Sequence, residues 1–166
     1  IGEISSGCFL SLTKSLQMKN LFDKDVYDEV TRRMNSLAPS SERQWGKMNV
    51  AQMLAHCKEA FNVPLSDKKM PRSFLGLLVG WMIKSKLYND EPWKPNLPTA
   101  PNFKITGERD FEKEKQELLG LANKFYSLGP GNVGKFPHPM FGSFTQQQWG
   151  QAMYKHLDHH LRQFGV

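Results

Sequence analysis

Apolar side chains recur every three to four positions through most of this chain, a period that predicts helices. In "NLFDKDVYDEVTRRMNSL", Leu21, Phe22, Val26, Val30, Met34 and Leu37 fall at helical spacing, and Pro39 stops the run. Asn49 is placed to cap a second helix, "VAQMLAHCKEAFNV", whose stripe is Val50, Leu54, Cys57 and Phe61 and whose end is marked by Pro64. A shorter, more uniformly apolar third helix begins at Phe74 and reaches Leu87. "ERDFEKEKQELLGLANKFYSLG" then places Phe111, Leu118, Ala122 and Phe125 on one face, with Gly129 and Pro130 ending it. The final helix has Thr145 as its N-cap and Gln148, three residues on, as the capping-box partner.

No segment alternates long enough to build a sheet. Between the third and fourth helices lies "NDEPWKPNLPTAPNFKITGE", whose prolines exclude helix and central strand and predict a long crossover loop. Four substantial helices, one accessory helix and that loop predict an all-α fold, a four-helix bundle with a crossover connection. Residues 1–17 carry no sustained stripe and precede Met18, a natural-looking beginning; they read as a dispensable extension, leaving residues 18–166 as one domain.

The chain carries 22 basic and 16 acidic residues. Its lysines are dispersed among carboxylates, as in "FEKEKQEL", rather than gathered with aromatics, which argues against nucleic acid as a partner. The most apolar run, "FLGLLVGWMI" from Phe74 to Ile83, is about half the roughly 20 residues needed to cross a bilayer. Stable membrane insertion is therefore not expected. Its flanks, Lys68, Lys69, Arg72, Lys84 and Lys86, have the layout of an interfacial helix, and a core or lid helix with charged ends is the alternative. Cys8 and Cys57 have no CxxC spacing, so a reducing, cytoplasmic setting is expected.

Candidate chemistry concentrates in "YKHLDHHLRQFGV", which holds three of the five histidines. On a helical wheel Trp149, Met153, His156, His160 and Phe164 fall within roughly 80° of one another, whereas His159 lies about 100° from His160, toward the flank. His156 and His160, one turn apart, can converge on one ion as an HxxxH half-site, or they can be a buried pair held by hydrogen bonds. A third ligand has to come from another helix. His56 lies some 120° from the centre of its own apolar stripe, which argues against deep burial, and its neighbour Cys57 faces the core better. Cys57 is thus an alternative ligand or simply a small buried hydrophobe. His138, between Pro137 and Pro139, is either an acid/base group at a site mouth or a loop histidine tied to backbone. Trp81, Trp93 and Phe103 are candidates to line a pocket under the crossover loop, or ordinary packing aromatics.

The order of helices, together with "WGKMNVAQMLAHC" and "HPMFGSFTQQQWGQAMYKHLDHHLRQFG", resembles the DinB-like (YfiT-like) superfamily, and in particular a branch of unassigned function. The resemblance covers most of Met18 to Val166. It implies a four-helix bundle and a divalent transition metal, zinc or nickel, held by His56, His156 and His160. It also implies a metal-dependent transferase or hydrolase acting on a small molecule, with low-molecular-weight thiols as the substrates of characterised relatives. The oligomeric state is open, with a homodimer as one expectation. The inserted third helix and the "FPHPMFG" loop set this chain apart from the thiol transferases. The competing expectation is a metal-free bundle that binds a ligand or partner without chemistry.

Overall fold

The computed structural model describes residues 18–99 and 103–166; the expectation for residues 1–17 lies outside them. Among the described residues there are five α-helices and no strand: α1 (Lys24–Ser36), α2 (Val50–Asn62), α3 (Phe74–Ile83), α4 (Phe111–Leu128) and α5 (Gln146–Gln163). A short 3-10 turn, Lys84–Leu87, continues α3.

The helix starts follow the chemistry of the cap residues. Asn49 and Thr145 each accept a hydrogen bond from the backbone N–H three residues on, and Gln52 and Gln148 reach back to complete both capping boxes. Asp110 accepts from Lys113 N at the start of α4. Each bond satisfies an N–H that has no partner inside the helix.

Helix α2 packs along α4, α1 packs on α5 and α4, and α5 closes against α2. Their apolar stripes meet in one core that includes Leu21, Met34, Leu54, Phe61, Phe125 and Leu157, each wholly or almost wholly buried. Phe22 stacks on Phe125 at 4.6 Å, and Phe61 meets the same ring edge-on at 5.7 Å. Burying each such side chain contributes about 1.5–3 kcal/mol, so the core rather than helix propensity holds the bundle together. Polar ties orient the helices around it. Lys58 of α2 pairs with Glu114 and Glu117 of α4. Arg33 of α1 donates to Asp158 of α5 at 2.8 Å and to the Val166 carbonyl at 3.0 Å.

Helix α3 departs from the expectation of a core helix. Phe74, Leu78, Trp81, Met82 and Ile83 are exposed. Trp81 therefore lines no pocket, and the helix rests on the protein through its opposite side. No described helix is long and apolar enough to cross a membrane.

Candidate metal centre

Three imidazoles converge where α2 meets α5. His56, His156 and His160 each present one ring nitrogen, and these atoms lie within 4.8 Å of one another. His56 Nε2 and His156 Nε2 lie 3.1 Å apart. Nitrogens bound tetrahedrally to zinc at about 2.0–2.1 Å lie about 3.3 Å apart, so the His56–His156 separation already suits a shared ion and His160 would close in from within 4.8 Å. Among the described residues no other cluster of this kind forms.

The outer nitrogens decide which atoms face inward. His56 Nδ1 lies 2.8 Å from the Phe103 carbonyl, which can only accept, so this nitrogen carries the proton and Nε2 is left bare. His160 Nδ1 lies 2.8 Å from Gln163 Oε1. The orientation of that amide is itself determined, because Gln163 Nε2 donates to the Trp45 carbonyl at 2.8 Å. His160 Nδ1 must then be the donor, and its Nε2 is the nitrogen free for a ligand bond. Carbonyl-anchored imidazoles of this kind are the usual support of metal-binding histidines. His156 is the exception. The residue is partly buried, and its Nδ1 is shut away from solvent without a partner.

Burial keeps the cluster neutral. Desolvation, followed by the neighbouring imidazoles, holds His156 well below the usual histidine range. Desolvation and His56 push His160 down to about 3, and desolvation lowers His56 as well. All three are therefore unprotonated near neutral pH, the state a metal requires.

His56 corrects the wheel reading, being only 5% exposed. The wheel located the apolar stripe of one helix but could not see that α5 and the crossover loop, through Phe103, cover the other flank of α2. His159 stays outside the triad, as its angle predicts, but it is buried, with Trp45 and Trp93 ring centroids at 5.7 and 5.5 Å. Cys57 is in the core, directed at Met53 Sδ at 3.7 Å, and burial pushes its thiol pKa up, away from thiolate chemistry. His138 is tied to its own loop, with Nδ1 accepting from Met140 N at 3.0 Å and Phe141 N at 3.3 Å. That occupied nitrogen fits the loop-anchoring role, and burial lowers its pKa to about 4.

Trp93 and Phe103 do reach the site, by different means. Phe103 contributes its carbonyl, and the Trp93 ring lies against His156 at 5.9 Å. Trp93 is held by its Nε1–H, which donates to the Lys86 carbonyl at 2.7 Å. The same carbonyl accepts from Lys155 Nζ at 2.8 Å, and Lys155 also bonds Asn89. This buried lysine of α5 therefore pins the root of the crossover loop beside the histidines. Sequence reasoning missed Lys155, Gln163 and Trp45. Only Gln163, three residues after His160 on one helix, left a signal that could have found it.

The model of a family described as "Protein of unknown function (DUF1569)" matches residues 13–165. No curated protein matches the chain, and no solved structure does.

Proposed function

We propose that this chain, which belongs to the DUF1569 family of unknown function, holds one divalent transition metal on His56, His156 and His160 and acts with it on a small molecule. The observation that carries the reading is the pair of anchored imidazoles, His56 on the Phe103 carbonyl and His160 on Gln163, whose bare nitrogens face His156. Three neutral nitrogen donors suit zinc or nickel. A metal held this way keeps its full charge and an open position, and supplies a Lewis acid that lowers the pKa of a thiol or water.

The chain's own residues supply the setting. Gln163 and the Phe103 carbonyl orient the donors, and the indole of Trp93 shields one side of His156. We read the bundle as a DinB-like four-helix one, with α3 inserted, and the reaction as a transferase or hydrolase step on a small substrate such as a low-molecular-weight thiol. We read the setting as reducing and cytoplasmic, because Cys8 and Cys57 have no CxxC spacing.

The 3.1 Å contact between His56 and His156 also supports a second reading, in which the imidazoles satisfy each other and the bundle binds a ligand without metal. Metal analysis of protein purified without chelator, followed by zinc titration, separates the two. The metal reading expects about one transition-metal ion per chain. Protein that is metal-free and fails to take up added zinc would sink it.

A further inference from the structure

Five of the seven large hydrophobic residues exposed among the described residues lie on α3. At about 100° per residue, Phe74, Leu78 and Trp81 share one side of this helix, and Gly76 and Gly80 lie roughly opposite. The glycine side is the one that touches the protein. A Cβ at Gly76 would come within 2.5 Å of the Met140 backbone, and one at Gly80 within 2.1 Å. The two glycines let the helix lie flush on the loop before α5, and Phe74, Leu78 and Trp81 on the other side are directed away from the fold. Phe74 is 77% exposed and Trp81 74%.

The charge flanking the helix is mainly basic, with Asp67, Asp90 and Glu91 only at the outer ends of the segment. Residues 68–89 contain Lys68, Lys69, Arg72, Lys84 and Lys86 and no acidic residue. Lys68, Lys69, Arg72 and Lys86 are exposed, and Lys84 donates to the Ser143 carbonyl at the edge of the patch. An apolar ridge with aromatic residues between two basic flanks has the chemistry of an interfacial helix, which buries its ridge at the headgroup boundary while its cations meet anionic lipid. A second copy of the chain is the poorer occupant, because pairing two such faces would bring like charges together.

We propose that α3 is a peripheral docking element for anionic membrane surfaces. The apolar ridge supplies the insertion and the flanking cations the selectivity. The helix is too short to span a bilayer, so attachment is reversible and sensitive to salt. This inference does not depend on the metal site.

The test is co-sedimentation of the full chain with vesicles of phosphatidylcholine alone or mixed with phosphatidylglycerol. Binding is expected to the anionic vesicles and to weaken as salt is raised. Replacing Phe74 and Trp81 together by serine should reduce it by about tenfold or more. Lys68→Gln with Lys69→Gln should reduce it by a similar factor, at about 1 kcal/mol per cation. All four side chains are exposed, so thermal melts should match the parent protein and exclude misfolding. Quenching of Trp81 by brominated lipid, read as the difference between the parent chain and Trp81→Phe, should report insertion. Three results would overturn the proposal: no binding to anionic vesicles, binding indifferent to both double variants, or a self-associated species in ultracentrifugation that Phe74→Ser/Trp81→Ser dissociates.

Discussion

Gln163 Oε1 accepts the Nδ1–H of His160 at 2.8 Å, while the other end of the same amide donates to the Trp45 carbonyl. One side chain at the end of α5 thus selects the tautomer of a candidate ligand and fastens the loop between α1 and α2. Replacing it with leucine leaves the imidazole N–H and the carbonyl without partners, at a cost of about 1–3 kcal/mol in stability. Zinc affinity should fall by about 10–100-fold, as for other residues that orient a ligand, with stoichiometry unchanged. Calorimetric titration reads both, and unchanged affinity would mean that His160 does not need its anchor.

The three histidines of the last helix should respond unequally to alanine. His160→Ala and His156→Ala each remove a donor and should weaken zinc binding by more than about 100-fold. His159→Ala removes a ring packed between Trp45 and Trp93 but no donor, so the loss should stay under about tenfold. Equal damage from His159→Ala and His160→Ala in direct titration would place the site on a different pair.

Gly46 lies under the same amide. Its φ is +82°, and a Cβ there would come within 2.5 Å of Gln163 Nε2. Gly46→Ala should therefore cost about 1–3 kcal/mol through backbone strain and should also lower zinc affinity by displacing Gln163. Denaturant unfolding with and without zinc measures both. A loss of stability with no change in affinity would uncouple the loop from the site.

Acid should destabilise the metal-free protein. His160 is held at about 3, His138 at about 4 and His156 well below its ordinary value, whereas in the unfolded chain each titrates near 6.5. Above that pH both states are neutral and these groups contribute no pH dependence. Below it the unfolded chain binds protons that the folded one refuses, so stability falls with pH until the folded values are reached. Each such histidine contributes up to about 1.4 kcal/mol per pH unit in that window. Denaturant midpoints measured in chelator from pH 7 to 4.5 should decline steadily, and a flat profile would show that these rings are charged in the fold.

The helices were legible in the sequence because each depends on local signals. Asn49 and Thr145 mark their helix starts by side-chain chemistry that operates within four residues, and the stripe holding Trp149, Met153 and His160 needs only the helical period. His156 and His160 could be singled out for the same reason. What lies between elements could not be read from periodicity. The burial of His56 depends on Phe103, 47 residues away in a proline-rich loop with no periodic pattern, and the clamp on that loop depends on Lys155, which on a wheel is one more surface lysine.

Helix α3 marks the same boundary from the other side. Its composition alone determined that it would be helical, apolar and too short to span a bilayer. Whether those side chains would face the core was decided only in three dimensions, by Gly76 and Gly80 taking the contact with the Met140 backbone. Local patterning specifies which face of a helix is apolar, but burial is a property of two surfaces, and the second surface is supplied by residues distant in the chain. Local pattern therefore specifies the helices and the His156–His160 pair, while the packing of distant segments sets the third imidazole, the tautomers and the exposed ridge.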